Sequence, residues 1–257
     1  MAVEDRRVVV EFDTSKDADR VGSYSQALLA SGYTTTTEDA RRAISIVLDS
    51  LDRLPFYFIE GGRRRKRSLY YEGDPMVNVT ILRDGCVFTR RGDSDQIIDL
   101  VDPISVLEDE VFSGAVEHRD RAGFLTDGII QTIPKETFIR RMGENPDFGM
   151  FFSVSRSIRA ENMRNRFADF MGRPVDQRIA RSLLELIKRP TSLNGHEPTQ
   201  RFLADFADCS RETCNKYLKR FSRRGIFDWR DFLHDPVNTG QVFQARLTDY
   251  YKRGMFF

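Results

Sequence analysis

The sequence predicts an α+β protein with an N-terminal antiparallel β-roll, then a long helix, then a C-terminal winged helix-turn-helix. Three observations carry this. From Leu54 to about Phe138, short β-prone runs alternate with turn signals. After Asn145-Pro146 the pattern changes to a long helical stretch, and Thr199–Phe227 then reads as two short helices joined by a tight turn.

The strand region is punctuated at regular intervals. Leu69-Tyr70-Tyr71 is followed by Glu72-Gly73-Asp74-Pro75, Val77–Leu82 by Arg83-Asp84-Gly85, Cys86–Thr89 by Arg90-Arg91-Gly92-Asp93, and Ile97–Val101 by Asp102-Pro103. Strands recurring about every ten residues imply a small antiparallel sandwich or roll. Ahead of it, Arg7–Phe12 is a short β-prone run and Thr14–Gly32 is polar and part helical in pattern. Thr37-Glu38-Asp39 opens a helix through Leu51, with Ala40, Ile44, Val47 and Leu51 on one face.

In the long helix, Phe151, Val154 and Ile158, then Met163, Phe167, Phe170 and Met171, form apolar stripes interrupted by arginines. Such a stripe does not face water alone and needs either a core or a second helix. Gly172-Arg173-Pro174 ends this helix, and Val175–Lys188 forms the next, with Ile179, Leu183, Leu184 and Ile187 inward. In the helix pair, Phe202, Leu203 and Phe206 form the buried side of the first member, and small Ala204 leaves room for its neighbour. Ser210 caps the second, whose buried stripe is Cys214, Tyr217, Leu218 and Phe221. Ile226–Trp229 and Val242–Leu247 are expected to pair as the strands of a wing, joined by a loop around Asp235-Pro236-Val237-Asn238.

The opposite face of that second helix presents Arg211, Glu212, Asn215, Lys216 and Lys219. These side-chain types can read a DNA groove. Guanidinium and ammonium groups donate to guanine, and a carboxylate accepts from cytosine. Between Thr199 and Gly225 seven Lys and Arg stand against three Asp and Glu, an excess of four positive charges that suits phosphates. A solvated charged face on an ordinary helical hairpin would show the same composition.

The segment LADFADCSRETCNKYLKRF resembles the helix-turn-helix of the Crp/Fnr family of bacterial transcription regulators, with Ser210-Arg211-Glu212-Thr213 intact. YYEGDPMVNVTILRDGCVFTRR resembles the first half of that family's cyclic-nucleotide-binding-type β-roll, Gly73 and Gly85 matching its turn glycines, and PVDQRIARSLLELI resembles the first helix of its winged domain. The resemblance implies four parts: a 1–53 extension with lead-in helix, a 54–145 sensor roll, a 146–172 dimerisation helix and a 173–257 DNA-binding domain. It further implies a homodimer on double-stranded DNA at a palindromic site, with RNA polymerase as a partner. Arg211 and Lys216 would favour guanine, Glu212 cytosine, and Thr199, Ser210 and Lys219 phosphates.

The departures from the family pattern matter. Asp208 stands where the turn has Gly, and Lys216 replaces an Arg whose bidentate fork an ammonium cannot make. In the roll, Leu107 precedes Glu108 where cyclic-nucleotide binders have Gly, and the closing triplet is Asp120-Arg121-Ala122. Asp120 at a phosphate position would set like charges together, so control by cyclic AMP is not expected. Glu108, His118, Arg119 and Arg121 remain as candidate effector-pocket residues, and a small-molecule effector of unknown identity stays open, as does a ligand-binding or interaction module that no longer reads DNA.

Composition narrows the field. With 257 residues, 40% hydrophobic and 31% charged, the chain can hold two cores in a soluble protein. A net charge of +1 excludes a general polyanion coat and leaves a local basic patch as the only route to nucleic acid. No apolar run approaches the roughly 20 residues of a membrane span, and the N-terminus lacks a signal-peptide core, so a cytoplasmic location and no membrane partner are expected. Cys86, Cys209 and Cys214 fit no disulfide framework or four-ligand metal site, and Cys209 and Cys214 read as small buried hydrophobes. His118 as a haem or metal ligand and the Arg63–Arg67 run as a nucleic-acid patch are weaker readings than a hydrogen-bonded histidine and a solvated turn. Catalytic motifs are absent, so neither an enzyme nor a required cofactor is expected.

Overall fold

A computed structural model describes residues 28, 36–54, 57–61, 68–91, 96–188 and 198–253. The expected strand Arg7–Phe12, the basic run Arg63–Arg67 and nearly all of the polar stretch Thr14–Gly32 lie outside the described residues. Helix α1, Thr37–Arg53, starts at Thr36, whose hydroxyl oxygen accepts the Asp39 N–H at 3.1 Å. Its expected inner face of Ala40, Ile44, Val47 and Leu51 is buried.

Among the described residues eight strands follow: β1 (Tyr57–Gly61), β2 (Ser68–Tyr70), β3 (Asn78–Asp84), β4 (Val87–Arg91), β5 (Ile97–Val101), β6 (Ser105–Val106), β7 (Asp120–Phe124) and β8 (Gly128–Pro134). They form two four-stranded sheets, in the orders β1-β8-β3-β6 and β2-β7-β4-β5, with every pairing antiparallel. Gly85 makes the β3–β4 turn at φ +86°, and a Cβ there would lie 2.5 Å from the Asp127 carbonyl oxygen. Only glycine satisfies both demands. Lead-in helix and roll are tied by Arg83, whose buried guanidinium donates to Gln131 at 2.7 Å and to Asp52 at 2.9 Å, while Gln131 donates to the Leu51 carbonyl.

Helix α2, Lys135–Glu144, buries Phe138. The long helix α3 covers Pro146–Gly172; Asn145 caps it by accepting the Phe148 N–H at 3.1 Å, and Pro146 takes a first-turn position that needs no donor. Its apolar stripe divides. Phe148, Phe151 and Phe152 join α1 and the roll in one core, whereas Phe167 and Met171 are exposed.

Helices α4 (Val175–Ile187), α5 (Gln200–Phe206), α6 (Arg211–Arg223), α7 (Trp229–His234) and α8 (Pro236–Arg253) complete the chain. The wing strands expected at Ile226–Trp229 and Val242–Leu247 are not formed: the second lies inside α8, and Trp229 opens α7. The physical reason is local. Asp235-Pro236 is a helix start, with Asp235 accepting the Asn238 N–H at 3.1 Å, and Phe243, Leu247 and Tyr250 recur at helical spacing and are buried. Gly240 lets α8 lie close on α4, since a Cβ there would be 3.2 Å from Ile187.

Candidate nucleic-acid interface

The α5–α6 pair is held by the residues expected to hold it. Phe202, Leu203, Ala204 and Phe206 of α5 and Cys214, Leu218 and Phe221 of α6 are buried in one cluster, with Tyr217 packed against it. The turn between them passes through Asp208 at φ +51°, a left-handed conformation that favours glycine. The Asp208 carboxylate receives the Arg178 guanidinium at 3.1 Å, which offsets part of that strain. Ser210 then caps α6 by accepting the Thr213 N–H at 3.1 Å, and Thr199 caps α5 by accepting the Phe202 N–H at 3.1 Å.

This packing sets the opposite side of α6 outward. Arg211, Glu212, Lys216 and Lys219 are exposed and Asn215 is half-buried, so the five expected residues share one accessible face. Ser210 and Thr199 are exposed beside it, although their hydroxyl oxygens already serve as caps. The first turn of α6 is where Arg211 and Glu212 stand, the part of a recognition helix that meets base edges.

The helix pair is anchored to the roll. Phe88 of β4 meets Phe202 edge to face, 6.2 Å between ring centroids, and the buried cluster continues from Cys86, Phe88, Ile97 and Leu100 into the helical domain. Arg90 and Arg201 both reach Asp205, at 3.3 and 3.0 Å. Arg166 of α3 lies 3.7 Å over the Phe206 ring and donates to the carbonyls of Phe206 and Ile97, fastening α5 to β5 and α3 at once. Sequence reading missed the ties of Arg90 and Arg166, since their partners lie 115 positions away for the one and 40 and 69 for the other, and no local pattern marks them. A cavity of about 90 Å³ remains between β5, α3 and α4, small beside the ~300–1,000 Å³ of ligand clefts.

The candidate effector residues of the roll separate into two pairs. Glu108 is fully buried; one carboxyl oxygen accepts the Thr80 N–H at 2.8 Å and the other has no hydrogen-bond partner. Burial raises its pKa to about 7 against the opposing pull of the Thr80 hydrogen bonds. His118 is stacked on Tyr70 at 3.8 Å, its Nδ1 buried without a partner, and burial holds its pKa below the ordinary value. Arg119 and Arg121 are exposed, with the Arg121 guanidinium 5.5 Å over Tyr71. Among the described residues no group of three or more His, Cys, Asp or Glu could hold a metal ion, and no helix is long and apolar enough to cross a membrane.

Comparison with known proteins agrees with this geometry. Residues 177–235 match the family model of the Crp-like helix-turn-helix domain. A CRP-like cAMP-activated global transcriptional regulator of Mycobacterium tuberculosis is 24% identical over 172 residues, 63% of this chain and 76% of that protein. Among solved structures, the c-di-GMP responsive global regulator CLP of Xanthomonas campestris superposes with a TM-score of 0.60 at 17% identity, covering 71% of this chain and 93% of that one. FixK2 of Bradyrhizobium japonicum gives 0.56 at 18% identity, covering 67% and 87%.

Proposed function

We propose that the chain is a DNA-binding transcription regulator of the Crp/Fnr type, which grips a palindromic site as a homodimer and reads it with Arg211, Glu212, Asn215 and Lys216. The observation that carries this reading is the shared accessible face of α6, held outward by a fully packed opposite side. Arg211 and Lys216 donate to guanine and Glu212 accepts from cytosine, while Lys219 and the Thr199 hydroxyl hydrogen meet phosphates, as does that of Ser210 on leaving its 2.9 Å bond to Thr213 Oγ1. The protein acts by binding, not by catalysis, and RNA polymerase is its downstream partner by resemblance.

Two-fold pairing is supported by the outer side of α3. Ser153, Ser157, Ala160, Arg164, Phe167 and Met171 are spaced alternately four and three apart and are all exposed, the spacing of a coiled-coil seam. A twin helix would cover Phe167 and Met171 and set the two α6 helices one helical turn of DNA apart, ~34 Å.

Cyclic AMP is not the signal in this reading, because Glu108 is buried in the roll and engaged by Thr80, and because Asp120 takes the sequence position at which the resembling cyclic-nucleotide binders meet a phosphate. A second reading keeps an effector in the roll. It is favoured by the buried, unpartnered Glu108 Oε1 and His118 Nδ1, since buried polar atoms without partners are what a bound ligand satisfies. Calorimetric titration with cyclic AMP and cyclic GMP separates the two.

The base-reading claim is tested by Arg211→Ala and Glu212→Ala in the full chain. Each is expected to weaken specific binding by about 1–3 kcal/mol and to relax preference at one base position. Loss of affinity equal on specific and random duplexes would overturn it.

A further inference from the structure

The entry to α6 holds a piece of chemistry that DNA reading leaves unused. The residue before a helix cap and the fourth helical residue are brought side by side by helix-entry geometry, and an apolar pair usually fills these positions. With Ser210 as the cap and Arg211 first in the helix, the two positions are Cys209 and Cys214. The Ser210–Thr213 hydrogen bond fixes that entry, both thiols are unoxidised, and Cys209 packs against the buried cluster to which Cys214 belongs.

Their environments differ. Cys214 is buried, whereas Cys209 is half-buried and borders an open depression lined by Gln96, Arg201, Asp208 and Arg211. Solutes therefore reach Cys209 first. The neighbouring Cys214 thiol, helped by the Arg178 guanidinium and opposed by burial and by Asp208 and Asp205, holds the Cys209 thiol below its usual range. Cys209 beside it, together with burial, pushes the Cys214 thiol up. A thiol that ionises readily and is accessible is the one that attacks an oxidant.

We propose that Cys209 and Cys214 form a peroxide-oxidisable dithiol at the entry of the recognition helix, Cys209 attacking and Cys214 resolving. The Cys209 thiolate displaces hydroxide from hydrogen peroxide and becomes a sulfenic acid. The Cys214 sulfur then attacks that sulfur, its proton leaving with the hydroxyl as water. Two thiols and one peroxide give one disulfide and two waters, the two electrons passing from sulfur to oxygen.

Closing the bond draws the two sulfurs together to about 2.05 Å. Arg211 and Glu212 lie within the six-residue segment that the bond closes, next to the strained Asp208, so the first turn of α6 must shift. The consequence for DNA rests on the function proposed above: oxidation weakens specific binding by roughly tenfold, the loss of one well-placed base contact.

The test treats the full chain with hydrogen peroxide and maps its thiols by non-reducing peptide mass spectrometry. A Cys209–Cys214 cross-linked peptide lacking two hydrogens is expected, with the bond reversed by dithiothreitol and the buried Cys86 still a thiol. Cys214→Val keeps the apolar contact and should stop at a Cys209 sulfenic acid captured by dimedone, and Cys209→Ser should leave Cys214 unmodified. DNA affinity of the Cys209→Ser/Cys214→Val double variant should be indifferent to peroxide. The proposal is overturned if both thiols survive excess peroxide in a chain whose circular dichroism is native, if Cys86 reacts as fast, or if the cross-linked protein binds its site as tightly as the reduced one. Mass spectrometry decides the dithiol even for a reduced chain that binds no DNA, so the two readings fail separately.

Discussion

Replacing Phe167 by alanine probes the proposed two-fold seam without touching the protomer core, because this ring is 66% exposed in the single chain. Fully burying a phenylalanine is worth about 1.5–3 kcal/mol, so covering the exposed two-thirds contributes about 1–2 kcal/mol. Symmetry places the substitution in both helices, which doubles it to about 2–4 kcal/mol of dimerisation free energy. Each 1.4 kcal/mol is about tenfold, so the dimer dissociation constant should rise roughly 30-fold to 1,000-fold. Sedimentation equilibrium over a range of concentrations measures this, and helical circular dichroism with thermal unfolding at a dilution where both proteins are monomeric should barely change. Met171, 77% exposed, should respond in the same direction. A dissociation constant that moves less than about threefold, in a folded protein, would refute the seam.

Three further outcomes follow from the same geometry. Gly85→Ala meets both a positive φ and a carbonyl oxygen 2.5 Å from its new methyl, and should cost about 2–3 kcal/mol in urea unfolding. Glu108 is raised from 4.5 to about 7 in the folded state, so that state holds its proton through a window in which the unfolded chain has lost it. Its contribution is complete below about pH 4.5 and is lost as pH rises through about 7; unfolding free energy should fall by up to ~3 kcal/mol across that window, and Glu108→Gln should flatten the fall. Lys219→Ala should weaken binding evenly across duplex sequences and reduce the slope of log affinity against log salt by about 1, whereas a steeper loss on one sequence would assign Lys219 to a base.

Local patterns carried most of what the sequence made legible. The α5–α6 pair was readable because its stripe, its Ser210 cap and its turn all lie within thirty residues, and Asp208, at the turn's glycine position, takes a positive φ of +51°. The turn glycines and the inner face of α1 were readable for the same reason. The long-range ties were not: Arg83 to Asp52, Arg90 to Asp205 and Arg166 to Ile97 join residues that share no period. Nor could the α3 stripe reveal which half stays within the chain, since Phe151 and Phe167 look alike until α1 is folded against one of them. The wing was misread where a polar Asp-Pro step, taken for a loop, is a helix cap. Ile104, buried with φ +65°, gave no signal at all.

The account turns on whether the face of α6 reads sequence as a two-fold pair. The most direct measurement selects from a randomised duplex library with the purified, ligand-free chain at near-physiological salt and sequences what is retained. An enriched palindrome with half-site centres about 10 base pairs apart is predicted, its outer bases changing with Arg211→Ala and Glu212→Ala. Retained DNA with no enriched motif, in buffer and again with cell-extract metabolites added, would contradict it.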